Sequence, residues 1–246
     1  MTLYVGTSGW AYPEWKPGFY PKEIPSTRFL EHYGSRLSAC EINATFYKQQ
    51  DDEIVERWTR QVPAGFRFAI KAHRALTHGK SIAPDAARAE RLRTFLETVD
   101  RFGERRGPVL FQLPAYRKLD LEGLRTLLAR LPHGLRFAFE FRDVSWRIEA
   151  VTRMIVEAGG TICLAGGDST PPDALPEGGY AYIRLRAERY PSRKRAAWRK
   201  LLATESLARD VYVFTKHEGV PTGDPHAGIG LAEWLERYAC RERGPR

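Results

Sequence analysis

Short apolar segments rich in β-branched and aromatic residues recur along the chain, and helical patterns separate most of them. Runs of about four to eight such residues are typical of buried β-strands. The pattern predicts eight strands: LYVGTS (3–8), ACEINA (39–44), RFAIKA (67–72), PVLFQL (108–113), RFAFEF (136–141), TICLAG (161–166), YAYIRL (180–185) and DVYVFT (210–215).

Four of the intervening helical patterns begin at residue types that are favoured as N-caps. These residues are Ser26, Asp51, Asp120 and Ser192. The stretch GDSTPPDALPEGG, which follows the sixth strand, is different because its prolines and glycines leave little room for a helix. We expect a loop there.

Eight strands alternating with helices over 246 residues favour a (β/α)8 TIM-type barrel, an α/β fold that commonly needs about 250 residues. No linker or low-complexity segment divides the chain, so we expect a single domain spanning residues 1–246. A doubly wound sheet is the alternative. It is disfavoured because the chain has no glycine-rich dinucleotide fingerprint.

In such a barrel, alternate strand residues face the lumen, and active sites lie at the carboxyl ends of the strands. The fifth strand places Glu140 and Arg142 on the face opposite three phenylalanines. The same alternation predicts further lumen-facing polar residues: Glu41, Asn43, Lys71, His73, Gln112, Tyr182, Arg184 and Arg186. An ion pair between Glu41 and Lys71, on adjacent strands, would lower the cost of burying their charges.

Composition is that of a folded globular protein, with 43% hydrophobic and 28% charged residues. The first residues lack a signal-peptide pattern, and no apolar run is long enough to span a membrane, so no membrane partner is expected. The three cysteines, Cys40, Cys163 and Cys240, have no metal-ligand spacing, which favours reduced thiols. We therefore expect a cytoplasmic protein.

The formal net charge is +9, and a single stretch carries most of it. Between positions 184 and 200 there is one acid, Glu188, and the excess there is +7. The basic residues are Arg184, Arg186, Arg189, Arg193, Lys194, Arg195, Arg199 and Lys200. Such a basic stretch fits an anionic partner, either a small phosphate or carboxylate at the mouth or a nucleic-acid backbone, and it also fits an ordinary solvated helix face.

Six segments of the chain together resemble the YecE-like family, which is domain of unknown function 72. They are GTSGWAYPEWKPGFYP (6–21), EINATFY (41–47), FRFAIKAHRALTH (66–78), GPVLFQLP (107–114), FEFRDVSW (139–146) and YIRLR (182–186). The resemblance implies a TIM-type barrel whose shared residues lie at its mouth, and it implies no established activity.

Carried over by position, the family's shared residues would be Gly6, Ser8, Gly9, Trp10, Glu41, Asn43, Thr45, Phe46, Tyr47, Lys71, Thr77, His78, Gln112, Pro114, Glu140, Arg142, Ser145 and Trp146. Most of those on strands also belong to the lumen-facing set. The chain departs from the family at Asp143, where a histidine is frequent, at RLRA (184–187) and at TKHEG (215–219). Substrate identity is therefore not transferred from the family.

The leading hypothesis is an enzyme that acts on a small anionic organic substrate, phosphorylated or carboxylated, without a cofactor or metal. Glu140 would be the general acid or base, and Arg142 would position it or the substrate. Lys71 and Arg184 would stabilise developing negative charge, and Glu41 is the second carboxylate of the catalytic set. The residues predicted to bind substrate are Trp10, Asn43, Tyr47, His73, His78, Gln112, Trp146, Arg184 and Arg186.

Other chemistries remain open. Two carboxylates suggest glycoside hydrolysis, but strands two and five should place them on opposite sides of the mouth, whereas a retaining mechanism needs carboxyl groups about 5–5.5 Å apart. Lys71 could form a Schiff base with a carbonyl substrate if burial lowered its pKa. A metal would draw on carboxylates and histidines that include Asp168 and His217, although Lys71 and Arg142 would repel it. A binding protein with a catalytically inert mouth is the last alternative.

Overall fold

Residues 1–79, 81–216 and 221–243 are described by a computed structural model, with residues 240–243 described in backbone only. The strands are β1 (Leu3–Thr7), β2 (Ala39–Ile42), β3 (Arg67–Lys71), β4 (Arg106–Leu113), β5 (Phe137–Phe141), β6 (Thr161–Gly166), β7 (Tyr180–Leu185) and β8 (Asp210–Thr215). The α-helices are α1 (Phe29–Arg36), α2 (Ala44–Tyr47), α3 (Asp52–Arg60), α4 (Arg74–Thr77), α5 (Ala86–Asp100), α6 (Leu121–Leu128), α7 (Glu149–Glu157), α8 (Ser192–Ala208) and α9 (Gly228–Arg243).

All eight strands are parallel and form one sheet in the order β1-β8-β7-β6-β5-β4-β3-β2. A single bridge between Ser8 and Glu41 links the two end strands, so the barrel is nearly closed. The predicted (β/α)8 TIM-type barrel is confirmed. Each predicted strand is present, with its ends within two residues of the predicted positions.

The helix starts agree with the sequence at two of the four predicted caps. Asp51 is the N-cap of α3, and the Asp120 carboxylate caps α6 by accepting a hydrogen bond from the Gly123 N–H at 2.8 Å. Ser26 instead begins a 3-10 turn that leads into α1, and Ser192 is the first residue of α8. In both places the residue at the N-cap position is the preceding proline, Pro25 or Pro191, which has the extended backbone that an N-cap needs. The segment 167–179 contains no helix, as predicted.

Alternate side chains of the strands point to opposite faces of the sheet, as the sequence predicts, and so form one core between barrel and helices and another inside the lumen. The phenylalanines of β5 belong to the large core between barrel and helices, where Phe139 stacks on Phe111 with ring centroids 5.1 Å apart. A smaller apolar layer fills the lumen beneath the mouth: Tyr4, Ala39, Ala69, Leu110, Ala138, Cys163, Tyr180, Tyr182, Tyr212 and Phe214. The polar residues at the carboxyl ends of the strands therefore rest on a packed apolar floor.

The seam between β1 and β2 is held by a side chain in place of a regular ladder. The Tyr33 hydroxyl, on α1, accepts a hydrogen bond from the Thr7 N–H at 2.8 Å and donates to the Ala39 carbonyl at 3.0 Å. Gly6 lies so close to β2 that a Cβ there would come within 2.0 Å of the Ala39 carbonyl oxygen. Glycine at position 6 thus allows the approach that closes the barrel.

Within residues 1–79, 81–216 and 221–243, no helix combines the length and the apolar character that crossing a membrane requires. Cys40 and Cys163 are buried free thiols, and burial raises the pKa of each well above its usual value. The Cys240 side chain lies outside the described part of the chain.

Candidate active site

Polar side chains converge at the carboxyl end of the lumen, where five strands contribute to one cluster. Glu41 lies in β2, Lys71 ends β3, and Arg184 is the penultimate residue of β7. Gln112 and Glu140 are neighbours in the β4–β5 register, and the Gln112 amide donates to Glu140 Oε1 at 2.7 Å. We call this group, together with Arg142 and Arg186, the mouth cluster.

Arg184 joins the two carboxylates of the mouth cluster. Its Nη1 donates to Glu140 Oε2, and its Nη2 donates to Glu41 Oε1 at 2.9 Å. The carboxylates therefore lie on either side of one guanidinium, which corrects the expectation that they stand on opposite sides of the mouth. Both terminal nitrogens of Arg184 donate to these carboxylates and the residue is 7% exposed, whereas its Nε has no hydrogen-bond partner among the described residues. Its predicted role in binding a substrate anion stays a prediction.

Glu41 is completely buried and accepts from four donors, three at Oε1 and one at Oε2. Besides Arg184, its carboxylate accepts from the hydroxyls of Ser8 and Tyr182, both at 2.7 Å, and from Arg186 Nη2 at 3.4 Å. Burial acts to raise the pKa of Glu41, but these partners outweigh it and lower the pKa to about 2. The predicted ion pair with Lys71 is wrong, because Arg184 and Arg186 reach Glu41 across the lumen. Glu41 is an ionised anchor and not a proton donor.

Glu140 is the less saturated carboxylate. Its Oε1 accepts from Gln112 and lies 3.5 Å from Arg142 Nε, while its Oε2 receives the single bond from Arg184. A carboxylate oxygen has two acceptor directions, so Oε2 retains one for another donor. The Arg142 side chain is 54% exposed, which places this part of the mouth cluster nearest to solvent.

Lys71 is the cation of the mouth cluster that has no carboxylate partner among the described residues. Its Nζ lies over the ring of Phe46, 4.1 Å from the centroid. Burial, reinforced by Arg184, lowers the pKa of Lys71 to about 8, although Glu41 and Glu140 act in the opposite direction. The ammonium group therefore lies against a ring and, with a pKa of about 8, is mostly protonated near pH 7.

Aromatic residues flank this lysine. The His78 ring packs edge-on against Phe46 at 5.2 Å, and Phe46 in turn contacts Tyr47, which is 69% exposed. Burial, together with the charges of Lys71 and Arg142, lowers the pKa of His78. The structure thus places His78 beside the Phe46 ring that Lys71 contacts, and its role in substrate binding stays a prediction.

His73 has a different position. Its Nδ1 accepts a hydrogen bond from the Ala75 N–H at 3.1 Å and so caps α4. Burial, and then the Arg91 guanidinium, lower the pKa of His73, and no contact with the mouth cluster is present among the described residues. The expectation that His73 faces the lumen is corrected, because the strand ends at Lys71 and its alternation stops there.

Trp146 also differs from its prediction as a ligand contact. It is 2% exposed, stacks on Phe141 with centroids 4.5 Å apart, and donates its indole N–H to the Arg117 carbonyl at 2.7 Å. Both the ring and the N–H are thus used internally. Trp146 is a core residue beneath the loop that follows β5.

Trp10 and Asn43 line a mainly apolar cavity of about 210 Å³ at the carboxyl ends of β1 and β2. The cavity also touches Tyr12 and Trp58, and Trp58 packs edge-on against Trp10 at 5.1 Å. A second cavity of about 300 Å³ lies where the loop 167–179 replaces a helix. Its lining includes Leu164 and Ile183, which belong to the core between barrel and helices, and Arg184 of the mouth cluster.

Three contributors to the mouth, Ser8, Tyr182 and Phe46, were not among the residues predicted to act in catalysis or substrate binding, although the family resemblance named Ser8 and Phe46. The Ser8 hydroxyl donates to Glu41 and accepts from Arg186 Nη2 at 2.6 Å. The lumen-facing alternation of β7 included Tyr182. Strand alternation could therefore have identified Tyr182 as a site residue. It could not have identified Phe46, which lies in helix α2.

The basic stretch 184–200 is less available than its sequence indicates. Arg195 and Arg199 lie over the Trp234 ring of α9, at 4.3 and 5.5 Å from its centroid. Lys194 donates to the Thr170 hydroxyl, and Arg189 pairs with Asp224. Arg193 and Lys200 remain exposed beside these packed residues.

No group of three or more His, Cys, Asp or Glu side chains within the described ranges is arranged to hold a metal ion. Asp168 accepts from the Thr170 N–H at 2.8 Å and is part of a loop turn. His217, the other candidate ligand named from the sequence, lies outside the described residues.

A family model described as "Protein of unknown function DUF72" matches residues 4–238. The chain belongs to the DUF72 family. The resemblance to YecE-like proteins is thereby confirmed. UPF0759 protein YunF of Bacillus subtilis (strain 168) is 27% identical over 150 residues, which cover 58% of this chain and 52% of YunF. UPF0759 protein YecE of Escherichia coli (strain K12) is 28% identical over 142 residues, covering 57% and 48% respectively.

A crystal structure of a DUF72 family protein from Thermotoga maritima MSB8 has the same fold, with a TM-score of 0.75 and 22% identity. The match covers 96% of this chain and 98% of that one. The aligned regions of YunF and YecE correspond to about half the length of either protein. These comparisons establish the family and the DUF72 barrel.

Proposed function

We propose that this DUF72 protein is an enzyme that acts on a small phosphorylated or carboxylated substrate at the carboxyl-terminal mouth of its barrel. The proposal rests on charge balance. Four cationic side chains surround the two carboxylates, and Arg184 and Arg186 already contact Glu41. A substrate anion would offset the remaining positive excess, supplied by Lys71 and Arg142.

Lys71 is the residue best suited to hold that anion. A protonated lysine without a carboxylate partner can direct its three N–H donors to a phosphate or carboxylate oxygen. The Phe46 ring, whose centroid lies 4.1 Å from the ammonium nitrogen, favours the charged form of the lysine. Arg142, half-exposed at the rim, supplies a second cation on the solvent side.

Glu140 is the proposed general acid or base. The available acceptor direction at its Oε2 lets it take a proton from a bound substrate and return it. Gln112 and Arg184 hold the carboxylate in one orientation, which general acid–base catalysis requires. Glu41 acts through Arg184 by fixing the guanidinium that orients Glu140.

The test is a ligand and turnover screen with named probes. Ribose 5-phosphate, 3-phosphoglycerate and gluconate would be assayed for binding by ligand-observed NMR and for conversion by mass spectrometry. Lys71→Met should weaken binding of the accepted probe about 10- to 100-fold, the magnitude of a charge-assisted hydrogen bond. Glu140→Gln should keep the affinity and lower kcat about 10²- to 10⁴-fold.

Affinity should also depend on pH in the wild type. The lysine binds an anion while it is protonated, so affinity should fall as pH rises through about 8, and Lys71→Met should lose that dependence. Arg125→Gln, on the exposed surface of α6, is the matched control for the loss of one cation. Binding that is unchanged in Lys71→Met would contradict the proposed anion site. Turnover that is unchanged in Glu140→Gln would contradict the proposed mechanism.

A protein that only binds its ligand is the alternative in which Glu140 has no chemical role. Under it, Glu140→Gln keeps affinity and no probe is converted by the wild type. We place the protein in the cytoplasm, a location supported by the buried free thiols of Cys40 and Cys163.

A further inference from the structure

The opposite end of the barrel has a cavity that the mouth does not explain. It has a volume of about 270 Å³ and is lined by Arg67, Arg106, Arg136, Asp210, Tyr4 and Tyr212, with two glycines. We call it the amino-terminal cavity, because three of these residues begin β3, β4 and β8. We propose that this cavity is a second anion site that binds a small phosphate ester.

Three arginines face one aspartate in this lining. Arg136 Nη1 reaches from the start of β5 to that of β8, where it donates to Asp210 at 2.7 Å and to the Tyr212 hydroxyl at 2.9 Å. Arg106 pairs with Asp100 at the rim. The Arg67 guanidinium donates to the Ala64 and Phe66 carbonyls and pairs with no carboxylate of the described residues. The lining therefore has a positive excess after its ion pairs are counted.

The tyrosines add neutral donors to this charge. Tyr4 and Tyr212 stack with centroids 4.8 Å apart, and Arg67 lies over the Tyr4 ring at 5.6 Å. Burial raises the pKa of Tyr212 to about 12, so its hydroxyl remains protonated and can donate to a ligand. Guanidinium groups beside hydroxyl donors form a typical environment for a phosphate group.

Closing the amino-terminal end of the barrel does not by itself require three arginines around a cavity. The amino-terminal face of a TIM barrel ordinarily serves stability, and the pair between Arg136 and Asp210 fits that role. That pair does not involve Arg67, and a polar cavity lined by Tyr4 and Arg67 remains beside it. Its volume lies close to the lower end of the range for small-molecule sites, about 300–1,000 Å³, which favours a small ester over a polymer.

The test is titration with inorganic phosphate and then ribose 5-phosphate at constant ionic strength, followed by NMR of arginine side chains and by calorimetry. Arg67→Gln should weaken phosphate binding about 10- to 100-fold, as expected for loss of a charged donor. Tyr4→Phe keeps the ring but removes the hydroxyl, and it should lower phosphate affinity about 2- to 10-fold. Arg125→Gln, which is not part of the cavity lining, should leave phosphate affinity unchanged.

The Lys71→Met variant distinguishes phosphate binding in the amino-terminal cavity from phosphate binding at the mouth. Phosphate binding that survives Lys71→Met and is weakened in Arg67→Gln supports the amino-terminal site, whatever the outcome at the mouth. Binding that is kept in both Arg67→Gln and Tyr4→Phe overturns it. A short 5′-phosphorylated oligonucleotide that binds more tightly than ribose 5-phosphate would overturn the assignment to a small ester. If Arg67→Gln fails to fold, the phosphate affinity of Tyr4→Phe alone tests the proposal.

Discussion

Arg184 lies between two carboxylates in the barrel lumen, and this position explains why so many charges can be buried together. An isolated buried ion costs several kcal/mol, whereas one guanidinium that bridges Glu41 and Glu140 satisfies both carboxylates at once. Alternation along the strands predicted that these side chains face the lumen. It could not predict the pairing, because Arg184 stands three strands from Glu41 and meets it only across the closed barrel.

Glu41 should give the protein a component of stability that acid removes. Its folded pKa of about 2 is below the ordinary value of 4.5, so the stabilisation is complete above pH 4.5 and is lost as pH falls toward 2. The linkage is worth on the order of 3 kcal/mol. Glu41→Gln, which leaves Arg184 with one carboxylate, should cost about 3–5 kcal/mol at pH 7. Urea unfolding at several pH values measures both effects.

The free-energy difference between wild type and Glu41→Gln should therefore shrink between pH 4.5 and pH 2. Glu149→Gln is the control, because that side chain is 83% exposed on α7 and should differ little from wild type at any pH. A difference for Glu41→Gln that is the same at pH 7 and pH 3 would show that the carboxylate contributes through packing and not through its charge.

Strands and helices were predictable to different degrees. Each strand was found because apolar alternation is a local signal that the barrel preserves. The helix starts at Ser26 and Ser192 were misplaced, because in both cases a preceding proline takes the cap position. The seam between β1 and β2 had no local signal, since it depends on Tyr33 of α1 reaching between two strands.

Gly6→Ala should open that seam. The added Cβ would lie 2.0 Å from the Ala39 carbonyl oxygen, which is backbone and cannot rotate away. We expect a loss of about 1–3 kcal/mol or more in the free energy of unfolding, measured by urea denaturation. Gly166→Ala in β6 is the matched control, because the nearest atom to its added Cβ is 4.0 Å away. Equal effects of the two substitutions would contradict the close approach of β1 and β2.

The distribution of charge over the folded protein bears on its partners. The basic stretch could follow a nucleic-acid backbone only if its side chains were available, yet Arg195 and Arg199 pack on α9, and Lys194 and Arg189 have partners of their own. Arg184 and Arg186 lie at the mouth. The fold thus distributes a continuous basic sequence among different environments, and nucleic-acid binding stays a prediction.

Oligonucleotide binding measured against salt tests that alternative. We expect affinity no tighter than the non-specific range of about 10⁻⁴–10⁻⁶ M at physiological salt. Arg193 and Lys200 are exposed and pair with no carboxylate of the described residues. The double variant Arg193→Ala/Lys200→Ala should then bind the oligonucleotide as weakly as the charge-matched control Arg125→Ala/Arg153→Ala. Tighter binding that falls steeply with salt and is lost only in the first variant would favour a nucleic-acid function.

Local pattern was sufficient for the barrel, for the lumen-facing side of five strands and for the collection of Glu41, Lys71, Gln112, Glu140 and Arg184 at one end, because alternation and strand direction are encoded residue by residue. Contacts between distant strands were decided by the closed barrel. These contacts bind Arg184 to both glutamates and leave Lys71 without a carboxylate partner among the described residues. The reason is physical, since side-chain pairing depends on distances across the lumen, and only the folded chain sets those distances.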